Sequence, residues 1–333
     1  MTKELTNHAF FTEIKTLLNQ ARNSVYQTIN TTMTQTYWEI GKRIVEQEQQ
    51  GKTRAEYGKG LIKALSAQLS KEFGKGFSVD NLENMRRFYL AYAISETTPR
   101  NFKLSWSHYI FLTRIKNPDE RRFYEIEASE NSWTLRELKR QFNSGLFERL
   151  QLSTNKNKVK TLSKQGQRIQ STQDLIKDPY ILEFVGLPEQ ASYSESELEQ
   201  KLIDKLEHFL LELGKGFTFV SRQKRITIDE KHFKVDLVFY NRFLKCFVVI
   251  DLKIGELKHQ DLGQMMMYVN YFDRHEKQDD ETPTVGIILC KDKSKALVEM
   301  TLPKDNEQIY ASQYLTILPN KADFQKILEV GDE

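Results

Sequence analysis

The chain of 333 residues changes its pattern of apolar residues once, at about residue 150. Before that point apolar side chains recur every three or four residues, which is the period of an amphipathic helix. After about residue 175, short runs rich in β-branched and aromatic residues appear, as in buried strands. This change predicts a helical domain over residues 1–150 and an α/β domain over 176–333, joined by a Lys-rich linker at 151–175.

One pair of predicted helices in the first domain has the spacing of a helix-turn-helix or winged-helix-like unit. Leu61–Phe73 and Val79–Ala93 flank a short turn, in which Ser78 is placed to cap the second helix. The second helix would direct four polar side chains outward as DNA contacts: Asn81, Asn84, Arg86 and Arg87. A packed helical hairpin without DNA contact is the alternative explanation of this spacing.

Charge is divided unevenly along the chain. Residues 1–150 contain 23 Lys and Arg against 17 Asp and Glu, whereas residues 174–333 contain 21 against 29. The stretch 151–173 adds five basic residues and no acidic one. A basic first part suits binding to a polyanion such as DNA, and an acidic second part suits binding of cations. Charge blocks of this size are also typical of solvated surfaces.

The sequence carries no pattern typical of export, membrane insertion or nucleotide binding. No basic segment followed by an apolar one opens the chain, and the apolar runs are too short to cross a bilayer. Cys246 and Cys290 lie in strand-like runs, where small core residues are expected. Gly51-Lys-Thr53 lacks the earlier Gly of a phosphate-binding loop, because position 46 is Glu. We therefore expect a cytoplasmic protein with no membrane partner and no nucleotide cofactor.

Two carboxylates and one ammonium group interrupt apolar strands of the second domain. Asp236 lies in the predicted strand Lys234–Tyr240, and Asp251 and Lys253 end the next run. A hairpin through Asn241-Arg242 would bring the two carboxylates together, where their charges repel unless a divalent cation lies between them. Ligation by oxygen alone favours Mg²⁺ or Mn²⁺ over zinc.

This arrangement resembles the PD-(D/E)xK nuclease superfamily, in which an Asp precedes a (D/E)-x-K that closes the following strand. Gln264-Met-Met-Met-Tyr268 is similar to the Q-x-x-x-Y element of RecB-like members, and its two polar residues share one helix face. The longer string from Val249 to Tyr268 is similar to the YhcG-type nuclease family. The helical domain of that family also resembles the first half of this chain, at Thr36-Tyr-Trp-Glu-Ile-Gly41, Arg54-Ala-Glu-Tyr-Gly58 and Leu104-Ser-Trp-Ser-His-Tyr109.

The resemblance implies a restriction-endonuclease-like fold and endonucleolytic hydrolysis of DNA by a water activated by Mg²⁺ or Mn²⁺. Asp236 and Asp251 would be the metal ligands, assisted by the backbone carbonyl of Leu252. Superfamily members often add a Glu from the helix before the first strand. Glu199 is the candidate here because it lies near the core-facing stripe of its predicted helix, and Glu197 is the alternative.

The remaining site residues follow from the same resemblance. Lys253 would orient the attacking water or stabilise the charge that develops on the phosphate. Gln264 and Tyr268 would support these groups or touch the substrate backbone. Arg222 and Lys224, on the first strand, are positioned either to meet phosphate or to form a solvated edge.

Two departures from the superfamily pattern leave alternatives open. Val precedes Asp236 in place of Pro, and Asp251 stands where Glu is commoner, so its carboxylate reaches about one methylene less far. One alternative is a DNA-binding or assembly module whose nuclease site no longer turns over; another is a structure-selective or RNA-directed nuclease.

A homodimer is also expected, because one active centre cuts one strand at a time. The family resemblance implies a bacterial setting in defence, recombination or mobile elements.

Overall fold

The computed structural model describes residues 2–50, 55–93, 102–153, 162–188, 193–319 and 324. By their internal contacts the residues divide into two units, Met1–Leu138 and Lys139–Glu333. This division falls inside a helix, so the residues from Lys139 to Ser153 pack with the second unit. The boundaries at residues 150 and 175 stay predictions. Part of the predicted linker, 154–161, lies outside the described residues, whereas Leu162 and Gln167 are buried.

The first unit is helical wherever it has regular secondary structure among its described residues. Ser78 accepts a hydrogen bond from the N–H of Asn81 and so caps the helix that follows it, as predicted. A 3₁₀ turn at Lys75–Phe77 precedes that cap. The helices are α1 (Thr2–Gln50), α2 (Ala55–Phe73), α3 (Val79–Tyr92), α4 (Trp106–Leu112), α5 (Pro118–Glu130) and the first residues of α6 (Leu135–Asn143).

The crossing of α1 and α3 forms the centre of this unit. A Cβ atom at Gly41 would lie 2.1 Å from the carbonyl oxygen of Met85, so the two helices can approach this closely only at a glycine. Ile44, Leu82 and Met85 are buried at this crossing, together with Ile62 of α2. The C-terminal third of α1 is therefore fixed by packing.

The earlier part of α1 has an apolar surface that no described residue covers. Nine large apolar side chains, 37–67% exposed, form what we call the α1 stripe. Its members are Phe10, Phe11, Ile14, Leu17, Leu18, Val25, Tyr26, Ile29 and Met33. Phe11, Ile14, Leu18 and Val25 fall on the first and fourth positions of a seven-residue repeat, as at a coiled-coil seam.

The second unit contains a mixed six-stranded sheet within its described residues, in the order β1-β6-β5-β4-β3-β2. Strands β1, β6, β5 and β4 run parallel to one another, and β3 is antiparallel to both β2 and β4. The strands are β1 (Tyr180–Ile181), β2 (Phe217–Ile228), β3 (Lys231–Asn241), β4 (Cys246–Glu256), β5 (Val285–Asp292) and β6 (Ile309–Leu315). The helices are the rest of α6, α7 (Leu146–Ser153), α8 (Glu195–Asp204), α9 (Leu206–Leu213), α10 (His259–His275) and α11 (Lys295–Thr301).

Helices cover both faces of this sheet. Leu198 of α8 and Phe209 of α9 belong to one buried apolar cluster with the sheet, and Met265 of α10 belongs to the cluster on the opposite face. A Cβ atom at Gly286 of β5 would lie 2.6 Å from the sulfur of Met265, so glycine lets α10 lie close to the sheet. A helical region followed by an α/β domain is thus confirmed.

The two cysteines are buried free thiols, in agreement with their predicted core role. Burial raises the pKa of each thiol to about 11. Among the described helices, none is both long enough and apolar enough to span a bilayer.

Candidate active site

The predicted carboxylate pair lies where β3 and β4 begin to separate. The last paired residues of the two strands are Leu237 and Ile250. Asp236 and Asp251 follow directly, so the antiparallel register sets them opposite each other. Beyond this point a side chain accepts the hydrogen bond in place of a backbone carbonyl: the N–H of Leu252 donates to Asp236 Oδ2 at 2.9 Å. The end of the ladder therefore holds the Asp236 carboxylate in a fixed position.

Asp251 is a buried carboxyl group with one close cation. The residue is 3% exposed, and Lys253 Nζ lies 2.9 Å from its Oδ2. Burial and the charge of Asp236 together raise the pKa of Asp251 to about 7, although Lys253 opposes the shift. Lys253 in turn lies 3.8 Å from Glu195 Oε2 at the start of α8. The single ammonium group does not offset the two facing carboxylates, so this part of the site is short of positive charge.

Glu199 of α8 joins the pair through an amide. Its carboxylate Oε2 accepts from Gln223 Nε2 at 2.5 Å, and the same nitrogen donates to Asp236 Oδ1 at 3.2 Å. Burial raises the pKa of Glu199, and the charge of Asp236 adds to this shift. The Ser194–Glu197 capping box fixes the first turn of α8. Glu197 is used in that cap, which leaves Glu199 as the member of this helix that reaches Asp236 through a shared partner.

Arg222 lies at the rim of the carboxylate group. Its Nε is 3.3 Å from Glu199 Oε1, its Nη1 donates to Gln200 at 2.9 Å, and its side chain is 43% exposed. Lys224, by contrast, pairs at 3.0 Å with Glu276, the residue that follows α10. Of the two basic residues predicted on β2, Arg222 is thus the one that touches a candidate site residue.

Gln264 and Tyr268 are neighbours on α10, as their spacing predicted. The Gln264 amide donates to the Tyr268 hydroxyl, and the hydroxyl donates to the backbone carbonyl of Lys234 at 2.8 Å. Tyr268 is fully buried, which raises the pKa of its hydroxyl. The pair therefore anchors β3 two residues before Asp236, a supporting position.

The candidate DNA contacts on α3 are mostly engaged within the first unit. Asn81 accepts from Trp106 Nε1 at 2.9 Å and donates to the Gly76 carbonyl at 2.5 Å. Arg86 pairs with Glu48 of α1 at 2.8 Å. Asn84 is half-buried and accepts from Arg87 at 3.4 Å, and Arg87 is exposed. Arg87 is consequently the member of this set that is free to reach a ligand.

A divalent cation suits these donors in chemical type but not in their present arrangement. No group of three or more His, Cys, Asp or Glu side chains among the described residues has the geometry of a metal site. Nevertheless Asp251 Oδ2 and Glu199 Oε1 are buried and receive no well-directed hydrogen bond, only the cation contacts described above. Buried carboxylate oxygens with unused acceptor capacity are the ligands that Mg²⁺ and Mn²⁺ prefer. The residues therefore fit such a cation once the intervening Gln223 amide and Lys253 ammonium move.

Sequence reasoning missed Gln223 and Glu195. The pairing of β2 with β3 continues in step from Arg222 to Lys224, which brings Gln223 level with Asp236. A correct register would have indicated that neighbour. Its positive φ of 49° carries no sequence signal, because the residue is not a glycine.

Comparison with known proteins identifies the class of each unit. Residues 173–329 match the family model described as the YhcG PDDEXK nuclease domain. Residues 13–149 match the DUF1016 N-terminal domain. The α/β unit is thus a nuclease-type domain, and the helical unit is its N-terminal companion.

A full-length relative extends this identification. The Escherichia coli K12 protein "Putative nuclease YhcG" is 38% identical over an alignment 335 residues long. The alignment covers 92% of this chain and 89% of the relative. The chain belongs to the YhcG family of PD-(D/E)xK nuclease-domain proteins.

Two solved structures resemble the chain more distantly. They are a repair endonuclease from Pyrococcus abyssi and an EndoMS-dsDNA2 complex, each 17% identical with a TM-score of 0.27. Each covers 39% of this chain, and the match spans 50% and 48% of their own lengths, respectively. At such TM-scores the likeness carries no weight for fold or function.

Proposed function

We propose that this protein is a Mg²⁺- or Mn²⁺-dependent DNA endonuclease. The observation that carries the proposal is the facing pair of half-buried Asp236 and buried Asp251, in which burial and the charge of Asp236 raise the pKa of Asp251 to about 7. A structural ion pair would have its charges balanced, whereas this pair has one ammonium for two carboxylates. Membership of a nuclease family supplies the reaction class.

Each residue has a role in this proposal. Asp236 and Asp251, with Glu199 and the backbone carbonyl of Leu252, would hold the cation. When bound, a divalent cation lowers the pKa of the attacking water and offsets negative charge on the phosphate. Lys253, already 2.9 Å from Asp251, would orient the water or donate to the phosphate. Hydrolysis would form one P–O bond to the attacking water and break one P–O bond of the backbone. The water would lose one proton to solvent, and the leaving sugar oxygen would take up a proton from solvent.

Cleavage assays with purified full-length protein test the assignment. With Mg²⁺ or Mn²⁺ we expect wild type to cut DNA, and Asp236→Ala and Lys253→Ala to lose on the order of 10²–10³-fold in rate. Asp280→Ala is the matched control, because Asp280 is an acidic residue with a 77% exposed side chain. Unchanged cutting in both site variants would place the chemistry elsewhere.

The same proteins distinguish the two alternatives to a DNA endonuclease. Duplex, single-stranded and branched DNA and RNA would be offered in parallel. Preference for RNA or for branched DNA would redefine the substrate. Binding that persists in EDTA without cleavage of any substrate would identify an assembly module with an inactive site.

We infer that α3 contributes to DNA binding through Arg87, within the predicted helix-turn-helix. Arg87 is exposed, whereas Arg86 is occupied by Glu48. Arg87→Ala should reduce the slope of log affinity against log salt concentration by about one. Arg86→Ala tests the neighbouring position, and an unchanged slope in both variants would exclude this helix as the contact.

The α1 stripe supports the proposed homodimer. At 1.5 Å per residue, residues 10–33 span about 36 Å of helix, and this segment has Glu13, Lys15 and Arg22 as its charged residues. A stripe with so little charge offers no complement to a charged partner, but it can pair with its own copy about a twofold axis. At roughly 100 Å² of exposed area per side chain, two stripes would bury up to about 1,800 Å², the size of a stable interface.

Sedimentation velocity tests this dimer. Leu18→Glu combined with Val25→Glu should convert a dimer to a monomer, because charge would be buried at the seam. Gln20→Glu, which changes an exposed polar position of the same helix, should leave the dimer intact. A monomeric wild type, whether its stripe is solvated or covered by its own second unit, would contradict the proposal.

We propose the cytoplasm as the compartment, since a reducing environment maintains free thiols such as Cys246 and Cys290. Cell fractionation tests this location.

The bacterial setting in defence, recombination or mobile elements rests on the family resemblance, and a phage-challenge assay comparing wild type with Asp236→Ala tests the defence role.

A further inference from the structure

Gln223 has a backbone conformation that its side chain does not favour. It lies in the middle of β2 with φ of 49°, in the left-handed region that residues other than Gly, Asn and Asp rarely adopt. Such residues persist where the surrounding structure holds them, and they concentrate at functional sites. The contacts of the Gln223 side chain indicate what holds it.

The amide nitrogen of Gln223 lies between two carboxylates. It donates to Glu199 Oε2 at 2.5 Å and to Asp236 Oδ1 at 3.2 Å. Without that N–H₂ group, two carboxylates from different elements, α8 and β3, would face each other across the end of the sheet. An amide nitrogen bears partial positive charge in its hydrogens, so it joins these groups in the way that a cation would.

We propose that Gln223 is a positioning residue whose amide takes the place of the cation between Glu199 and Asp236 until a divalent ion binds. The side chain keeps both carboxylates in place in the metal-free protein and competes with the ion for their oxygens. This proposal rests on the metal-dependent function proposed above. It explains why three carboxylates meet here without forming a ready metal site.

The proposed competition between the Gln223 amide and the ion predicts the direction in which the ion affinity changes when the amide is removed. A group that stabilises the metal-free site and must be displaced by the ion weakens the measured affinity for that ion. Removing the amide should therefore lower stability in EDTA and tighten Mn²⁺ binding. A residue that ligates or orients the bound ion would have the opposite effect on affinity, and a purely structural residue would leave the affinity unchanged.

The experiment measures Mn²⁺ dissociation constants and thermal unfolding of the full chain, without substrate. Gln223→Met keeps the length of the side chain and removes the amide. We expect a lower Tm in EDTA, and a Mn²⁺ dissociation constant smaller by on the order of tenfold, the effect of losing one hydrogen bond to a charged group. An affinity that is unchanged or weaker would overturn the proposal.

Two controls keep the result interpretable. Gln223→Gly removes the same amide and relieves the positive φ, so it should fold even if Gln223→Met does not, and it should also bind Mn²⁺ more tightly. Asp236→Ala, which removes a proposed ligand, should abolish Mn²⁺ binding in combination with either substitution and so show that the measured ion is bound at this site. If wild type binds no Mn²⁺, the metal-dependent function fails. In that case a double-mutant cycle in EDTA between Gln223→Met and Glu199→Gln still decides whether the amide joins the carboxylates.

Discussion

Two groups of buried charges in the second unit have opposite balances. At Glu212, two arginines and a lysine surround one fully buried carboxylate: Arg149 Nη1 is 2.5 Å from Oε1 and Arg140 Nη1 is 3.3 Å from Oε2, while Lys177 donates to the Glu212 carbonyl. The Ile181 N–H adds a further hydrogen bond at 2.9 Å. At Asp251, a single cation, Lys253, contacts a carboxylate that also faces the carboxylate of Asp236.

The pKa values follow this difference. Burial alone would raise the pKa of Glu212, but Arg149, Lys177 and Arg140 lower it to about 2. The same physical cause, burial, raises the pKa of Asp251 to about 7, because Asp236 adds to it and Lys253 does not outweigh it. A carboxylate whose charge is satisfied by its own chain stabilises the fold. A carboxylate that is left short of positive charge is a candidate ligand for a cation from solution.

The largest effect should come from Glu212→Gln. The substitution leaves Arg149, which is fully buried, without its anionic partner, so we expect unfolding to become easier by about 3–5 kcal/mol. Urea unfolding of the full chain measures this change. Glu183→Gln, which loses an ion pair with Arg140 at a more exposed carboxylate, is the control and should cost much less. Equal losses of unfolding free energy in the two variants would show that burial of the Glu212 ion pairs does not add to their effect on stability.

Asp251→Asn should have the opposite sign in metal-free protein. Asparagine removes a charge that burial and Asp236 disfavour, while Lys253 keeps its approach to Glu195 at 3.8 Å. We expect a gain on the order of 1 kcal/mol in EDTA and loss of Mg²⁺-induced stabilisation. A decrease in stability would mean that Asp251 is held by its own chain, as Glu212 is.

The dependence of stability on pH separates the two groups further. The pKa of Glu212 falls from 4.5 to about 2 on folding, so its contribution is present above pH 4.5 and lost as the pH falls towards 2. The pKa of Asp251 rises from 3.8 to about 7, so its ionisation removes stability as the pH rises between these values. In EDTA, the stability difference between Asp251→Asn and wild type should therefore grow from pH 4 to pH 7. A constant difference would contradict the raised pKa.

Much of the candidate site could be predicted from the sequence, because two neighbouring strands carry its carboxylates. Asp236 and Asp251 lie in apolar runs separated by a short hairpin, and consecutive strands usually pair. The spacing of Gln264 and Tyr268 likewise required only helix geometry. These inferences use contacts that are local in sequence, where pattern and geometry agree.

The Glu212 group could not be predicted in this way. Arg149 and Glu212 are 63 residues apart, and residues 139–150 were predicted as part of the helical domain, whereas their contacts group them with the second unit. Gln223 was missed for a related reason, since its contacts depend on strand register and on a positive φ that Gln does not favour. Contacts between distant segments, and backbone conformations imposed by their surroundings, leave no periodic signal.

The smallest effects should come from the two basic residues of β2, and they sharpen the contrast at the rim of the site. Arg222→Ala and Lys224→Ala each remove an ion pair of a partly exposed side chain, so each should change stability by about 0–1 kcal/mol. Their effects on DNA binding should differ, because Arg222 contacts Glu199 of the carboxylate group whereas Lys224 is held by Glu276. We expect Arg222→Ala to reduce the salt slope of DNA affinity by about one, with Lys224→Ala leaving it unchanged. Equal salt slopes for the two variants would mean that Arg222, the arginine nearest to the carboxylates, does not contact the DNA backbone.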